Sequence, residues 1–168
     1  GTVITSVAGN ISITGSTIGE DSTDRGVRID NGADVTSTGS ATITIDGTSS
    51  DIDGGDGLQI IDPGTLVTSV NGDVSLTGVS SGNDGVDVGT QAGVISFGTA
   101  SITINGTVNN AAGSDGVEIN DTGTVITSVA GNISITGSTM GNEAFDQGVR
   151  IQEEAVVTST GSATITID

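Results

Sequence analysis

Pairs of branched or leucine residues, separated by one polar residue, recur about every thirty residues along the whole chain. In Thr42-Ile43-Thr44-Ile45-Asp46, for example, apolar and polar residues alternate. Such alternation predicts a β-strand with one buried face. The first members of successive pairs are 32, 31, 28, 31 and 32 residues apart. The pairs are Ile11/Ile13, Ile43/Ile45, Val74/Leu76, Ile102/Ile104, Ile133/Ile135 and Ile165/Ile167.

Two further apolar segments accompany the pairs and predict two more strands in each unit. One precedes the pair and is followed by Thr-Ser; its five examples start at Ile4, Val35, Val67, Ile126 and Val157. The other follows the pair, directly after a glycine; its five examples are 27–29, 58–60, 86–88, 117–119 and 149–151. The segment between the second and third strands varies in length, which is typical of a surface loop. No segment shows the apolar period of a helix.

Three short strands in constant order predict an all-β fold, a parallel β-helix or β-solenoid. Each turn is expected to stack about 4.8 Å from the last, giving a rod about 30 Å long. A β-propeller is the main alternative, but its blades need four antiparallel strands and these units offer three. We expect a single solenoid segment over 1–168. Its turns lie approximately at 1–31, 32–63, 64–92, 93–122, 123–154 and, incomplete, 155–168.

Long stretches of the chain occur twice. Residues 1–17 (GTVITSVAGNISITGST) reappear unchanged at 123–139, and 36–46 (TSTGSATITID) at 158–168, each 122 residues later. Identity that includes the loops exceeds what a fold requires and indicates copying of a unit within a longer repetitive protein. Neither end shows the polar capping unit with which natural solenoids end. We therefore expect end-to-end stacking of the chain with itself in a filament, or a parent chain that continues in both directions.

The charge and the missing residue types exclude several functions. The formal net charge is −18, from 21 acidic residues and three basic ones, which disfavours nucleic-acid binding. No apolar run is long enough for membrane insertion. The absence of His and Cys excludes Ser-His-Asp and Cys-His catalysis and disulfides.

Enzyme activity is not expected from this sequence. Paired acids can hydrolyse glycosides, and parallel β-helices do host polysaccharide-cleaving enzymes. Here the acids fall at repeated positions and not at one unique site. Aromatic platforms for sugars are also scarce, since Phe97 and Phe145 are the only aromatic residues.

Acidic residues recur at matching positions of the third strand. Three of them each precede the glycine before that strand, and two more align within it. Stacked like charges repel unless solvent or a cation intervenes, and carboxylate oxygens are the ligands that Ca²⁺ prefers. The alternative interpretation is a solvated acidic face that keeps the rod soluble. No cofactor is required, and the Ca²⁺ candidates are Asp56, Asp84, Asp87, Asp115 and Glu118.

The sequence segments around these acids resemble the calcium-binding nonapeptide repeat only in part. Gln59 stands where that repeat has a ligand aspartate, and the nine-residue period is missing. A second repeated feature is a column of hydroxyl residues between the members of each apolar pair. A regular array of this kind suits ice binding, but Thr and Ser also simply suit an exposed strand. The column is Ser12, Thr44, Ser75, Thr103, Ser134 and Thr166.

The cadence Val-Thr-Ser…Gly-Asn-Ile-Ser-Ile-Thr-Gly resembles that of giant repetitive bacterial surface proteins, the filamentous-haemagglutinin-like adhesins. The resemblance implies a right-handed parallel β-helix, export to the extracellular space or bacterial cell surface, and a role in adhesion or in a surface fibre. It implies the chain itself as a partner, and a cell surface or glycan as a further one. The alternative function is a Ca²⁺- or glycan-binding β-helix module.

The two copies differ mainly in one loop, which mildly favours recognition or lateral contact there. The differing pairs are Ile18/Met140, Glu20/Asn142, Asp21/Glu143, Ser22/Ala144, Thr23/Phe145 and Arg25/Gln147.

The strand alignment also predicts specific contacts. Ile43 should be buried between Ile11 and Val74. Ile104 should be buried between Leu76 and Ile135. Glu118 and Arg150 should lie side by side on successive turns.

Overall fold

A computed structural model of the protein describes residues 1–19, 23–109, 113–140 and 145–168. In these ranges the chain forms seventeen strands and no helix, three strands to a turn. The first strands are β1 (Val3–Ser6), β4 (Asp34–Ser37), β7 (Leu66–Ser69), β10 (Gly93–Ser96), β13 (Val125–Ser128) and β16 (Val156–Ser159). The second are β2 (Ile11–Thr17), β5 (Ile43–Ser49), β8 (Val74–Ser80), β11 (Ile102–Val108), β14 (Ile133–Thr139) and β17 (Ile165–Ile167). The third are β3 (Val27–Ile29), β6 (Leu58–Ile60), β9 (Val86–Val88), β12 (Val117–Ile119) and β15 (Val149–Ile151).

Strands of the same kind stack into three parallel sheets. The first strands form sheet 1, the second strands sheet 2 and the third strands sheet 3, each ordered by position along the chain. The result is a parallel β-solenoid of about 5 turns with roughly 31 residues per turn. The predicted fold class is therefore confirmed. Strand β10 is a first strand that the sequence pattern did not predict. Its segment Val94-Ile95-Ser96 has Ile at the position where the other first strands have Thr.

The core is one continuous stack of Ile, Val and Leu along the axis. Ile43 pairs with Ile11 and Val74, and it is fully buried. Ile104 pairs with Leu76 and Ile135 and is likewise fully buried. Both predicted contacts are confirmed, so the strand register read from the sequence is the register of the structure.

The second strands run for seven residues in all but the last turn, beyond the apolar pair that predicted them. The fifth residue of each of these strands is a glycine, opposite the glycine that precedes the third strand. A Cβ placed on Gly106 would lie 1.7 Å from the carbonyl oxygen of Gly116, and one on Gly78 would lie 1.8 Å from that of Gly85. The two backbones approach too closely for a side chain in the second strand. A Cβ on Gly116 would itself lie 2.3 Å from the backbone nitrogen of Ser138 on the next turn, which explains the glycine before the third strand.

The last residue of each strand of sheet 1 is a serine. Along this column of serines, hydroxyls that donate a hydrogen bond alternate with hydroxyls that have no partner among the described residues. Ser69 donates to the carbonyl of Gly72, and Ser128 donates to that of Gly131 at 2.6 Å. Ser37 and Ser96 are equally buried, yet their hydroxyls have no hydrogen-bond partner among the described residues. The connection to the second strand is one residue longer after Ser37 and Ser96, which removes the acceptor. Two types of turn, with a shorter and a longer connection after the serine, therefore alternate along the solenoid.

Candidate functional site

The residue before each third-strand glycine forms a column along the solenoid. The carbonyl of Asp84 accepts the N–H of Gly57, and the carbonyl of Asp115 accepts the N–H of Gly85, which keeps the turns in register. Asp56 is 0%, Asp84 7% and Asp115 2% exposed. The interpretation of a solvated acidic face is therefore wrong for these three carboxylates, because side chains and backbone of adjacent turns enclose them. Asp87 and Glu118, which point outward from sheet 3, are half-buried.

In turn 2 the carboxylate of Asp56 is held by donors from three turns. Arg25 Nε lies 3.2 Å and Gln59 Nε2 2.8 Å from its Oδ2 atom. Asn83 Nδ2 lies 2.6 Å from its Oδ1 atom. Burial raises the pKa of Asp56, and the charge of Arg25 and the amide of Asn83 oppose that rise.

In turn 4 Asp115 is also paired with an arginine. Its Oδ1 atom accepts the N–H of Gln147 at 3.0 Å, and its Oδ2 atom lies 3.5 Å from Nη1 of Arg150. The same Nη1 atom lies 3.8 Å from Oε1 of Glu118, so the predicted neighbours Glu118 and Arg150 are confirmed. Burial raises the pKa of Asp115, while the Gln147 N–H and Arg150 lower it.

In turn 3, Asp84 and Asp87 contact no arginine among the described residues. The Oδ1 atom of Asp84 accepts the N–H of Asp115 at 2.7 Å, and Asp87 Oδ2 accepts from Gln59 Nε2 at 3.0 Å. Burial raises the pKa of Asp84 to about 8, and the charges of Glu118, Asp56 and Asp87 add to the rise. Burial and the charge of Asp56 raise the pKa of Asp87 to about 7, against the hydrogen bond from Gln59.

The three basic residues of the protein all flank this acidic centre. Arg25 occupies the position equivalent to Asp56 in turn 1, and Arg28 and Arg150 occupy the position of Asp87 in turns 1 and 5. Arg28 bonds Asp30 in its own turn at 2.8 Å. The charge thus changes from positive through negative to positive along the axis. Sequence reasoning missed Arg25 and Asn83 as ligands of Asp56, although Arg25 precedes a third-strand glycine as the aspartates do.

The five Ca²⁺ candidates lie on adjacent turns as predicted, but their oxygen atoms bond mainly to N–H groups of the protein. Among the described residues no three acidic side chains are grouped so that they would hold a metal ion. The arrangement offers two carboxyls with a raised pKa, the buried Asp84 at about 8 and the half-buried Asp87 at about 7. Ca²⁺ binding stays a prediction.

The other sequence candidates have clear positions. The hydroxyl column is in register on the outer face of sheet 2, where Ser12 and Thr166 are exposed and the members between them half-buried. In the loop that differs between the copies, Ile18 is 87% and Met140 71% exposed. Positions 20–22 and 142–144 of that comparison lie outside the described residues.

The comparisons with known proteins add no family to this picture. The described residues contain no helix with the length and apolarity that crossing a membrane requires. The chain matches no protein-family model, no curated protein and no solved structure.

Proposed function

We propose that this chain is a structural segment of a bacterial extracellular fibre or adhesin, a stiff rod that lengthens by adding β-solenoid turns. The observation that carries the proposal is the unbroken register of all three sheets along the axis. Each turn contacts only its neighbours, so length grows with turn number while the cross-section stays constant. Parallel hydrogen bonds on three sides resist bending at every turn.

The internal duplication supports elongation by stacking. Residues 123–139 of turn 5 repeat residues 1–17 of turn 1, and turn 4 covers turn 5 in the structure. As a result Ile126 is fully buried, whereas the identical residue Ile4 is 40% exposed. The sequence of turn 1 is therefore suited to lie beneath another turn. That turn belongs either to the same chain or to a second copy stacked end to end.

The test is a tandem chain with one further copy of residues 1–122 placed in register before residue 1. Four added turns should lengthen the particle by about 19 Å and leave the cross-sectional radius unchanged in small-angle X-ray scattering. A particle that widens, or behaves as two jointed bodies, contradicts the rod. Antibodies to the chain should also label intact cells of the organism that makes it; labelling only after permeabilisation contradicts the surface location.

A second candidate function, a Ca²⁺-binding module, has one observation in its favour: in the part of the chain that the structure describes, no arginine forms an ion pair with Asp84 or Asp87. Ca²⁺ would then replace the protons on these carboxyls at alkaline pH. The test is thermal unfolding at pH 8 with and without millimolar Ca²⁺. A rise in the melting temperature that Asp84→Asn reduces supports the site, and an unchanged melting temperature removes it. Glycan binding has no comparable observation in the described residues.

A further inference from the structure

The three faces of the solenoid differ in chemistry. The outer side of sheet 3 carries the charged residues Arg28, Asp87, Glu118 and Arg150, and the outer side of sheet 2 carries mainly hydroxyl groups. The six strands of sheet 1 contain only one charged residue, Asp34. The strands of sheet 2 also contain one charged residue, Asp46, so sheet 1 differs from sheet 2 in its apolar side chains and not in its charge.

The outer face of sheet 1 carries an apolar cluster. Around Gly93, the side chains of Leu66, Ile95 and Val125 converge. A Cβ placed on Gly93 would lie 2.9 Å from Leu66 Cδ2 and 3.4 Å from both Ile95 Cδ1 and Val125 Cγ2. All three side chains are only partly buried.

An apolar edge continues this cluster. The backbone N–H of Phe97 donates to the carbonyl of Ser69, and that of Val129 donates to the carbonyl of Ser96. The two residues therefore lie in one column directly after sheet 1. Phe97 is 61% and Val129 43% exposed. Val70, half-buried, precedes them in the same column. We call the set Leu66, Val70, Ile95, Phe97, Val125 and Val129 the apolar face.

We propose that the apolar face packs against the apolar face of a second copy, so that rods associate side by side. The inference rests on the proposed rod function and adds a partner to it. Two copies that each carry −18 repel one another, and the repulsion is weaker at sheets 1 and 2, whose strands contain one charged residue each, than at sheet 3. Burial of aliphatic and aromatic groups is favourable, whereas the hydroxyl face of sheet 2 would lose hydration without matched partners. Sheets that pack face to face lie about 10 Å apart.

The size of the face sets the strength of the association. The whole outer side of sheet 1, with six strands at about 4.8 Å and four residues at about 3.3 Å, measures roughly 380 Å² in each copy. The apolar face covers part of this area and the column of Phe97 beside it. Stable interfaces bury about 800 Å² for each partner. The 168-residue chain should therefore dimerise weakly and reversibly, and longer rods with more turns should associate more tightly through multivalency.

Sedimentation velocity over a range from about 10 µM to about 1 mM tests the pairing. The wild type should form a reversible dimer, and the dimer should strengthen at about 0.5 M salt because screening reduces the repulsion of the acidic rods. Phe97→Glu should weaken dimerisation by about tenfold or more, since it places a charge on the face. Val129→Thr, which introduces the residue found at that column position in turns 2 and 6, should weaken it less.

The matched control is Phe145→Glu. Phe145 is 73% exposed in the loop between sheets 2 and 3, so this variant has the same composition and net charge as Phe97→Glu. It should dimerise as the wild type does. Thr103→Glu, on the hydroxyl face, should also leave the dimer intact.

Three results would overturn the pairing: a wild type that stays monomeric at every concentration and salt, equal weakening by both phenylalanine variants, or loss of the dimer only in Thr103→Glu. None of these would contradict the rod, because the length of the tandem chain is measured independently. Conversely, a tandem chain that fails to lengthen while the dimer persists would contradict the rod alone.

Discussion

The Oδ1 atom of Asp84 accepts the backbone N–H of Asp115 on the next turn at 2.7 Å, and no arginine neutralises Asp84 among the described residues. Burial and the carboxylates of Glu118, Asp56 and Asp87 raise the pKa of Asp84 to about 8. Arg25 of turn 1, beside Asp56, and Arg150 of turn 5, beside Asp115 and Glu118, each lie two turns away from Asp84. This raised pKa favours the protonated form of Asp84 in the folded chain at neutral pH, whereas an aspartate of the unfolded chain is ionised there.

This difference predicts that the protein becomes more stable as the pH falls from about 8 to about 5. The folded pKa lies above the unfolded value, so the stabilisation is complete below the unfolded pKa near 4 and is lost as the pH rises through the folded pKa of about 8. The measurement is the midpoint of urea unfolding at the two pH values. Asp84→Asn should flatten this dependence and raise the midpoint at pH 8, because the amide oxygen still accepts the Asp115 N–H without a charge.

Protonation of other carboxylates at lower pH also stabilises this acidic protein, because it reduces the repulsion between them. The control must therefore remove one negative charge elsewhere. Asp53→Asn removes an exposed carboxylate of turn 2 and should retain most of the wild-type pH dependence. If the two asparagine variants show the same pH dependence, the buried carboxyl of Asp84 is not its source.

The sequence predicted the repeating core well and the acidic site less well. Apolar periodicity and constant spacing determine which residues stack, so Ile43 and Ile104 lie where the alignment placed them. The same alignment placed Asp56, Asp84 and Asp115 in one column, but acidic side chains are usually exposed. Their burial depends on donors such as Arg25 and Asn83, which come from turns 31 and 27 residues away in the chain. The spacing of apolar residues along the sequence predicts the strands, but it does not predict which side chains of neighbouring loops will cover a carboxylate.

Truncation of a core isoleucine should destabilise the solenoid strongly. Ile104→Ala removes a fully buried side chain between Leu76 and Ile135 and should cost about 2–5 kcal/mol in the free energy of unfolding. Ile18→Ala is the control, because Ile18 is 87% exposed and should change stability by less than about 0.5 kcal/mol. If chemical denaturation showed comparable losses of unfolding free energy in Ile104→Ala and Ile18→Ala, the inward direction of the Ile104 side chain would be contradicted.

The alternation of the serine column predicts opposite effects for two identical substitutions. Ser128→Ala removes a buried donor to the Gly131 carbonyl and should cost about 1–3 kcal/mol, the penalty for an unsatisfied buried acceptor. Ser96→Ala removes a hydroxyl that has no partner among the described residues and should be neutral or stabilising. Both serines are fully buried, so the free energies of unfolding compare directly. A larger loss in Ser96→Ala would reverse the assignment of the two turn types.

Substitution of a glycine at the close approach of sheets 2 and 3 should be among the most damaging changes in the chain. A Cβ on Gly106 would lie 1.7 Å from the Gly116 carbonyl oxygen and 2.7 Å from Cγ2 of Val117. The obstacle is backbone, which cannot rotate away as a side chain would, so β11 must separate from the third strand that follows it. Gly106→Ala should therefore cost at least the 1–3 kcal/mol or so typical of overpacking. Gly9→Ala is the control, because its nearest contact would be Ser6 Oγ at 3.7 Å, an ordinary separation. Urea unfolding of the two variants should show a marked loss in the first and little change in the second, and equal midpoints would mean that the two sheets do not meet at Gly106.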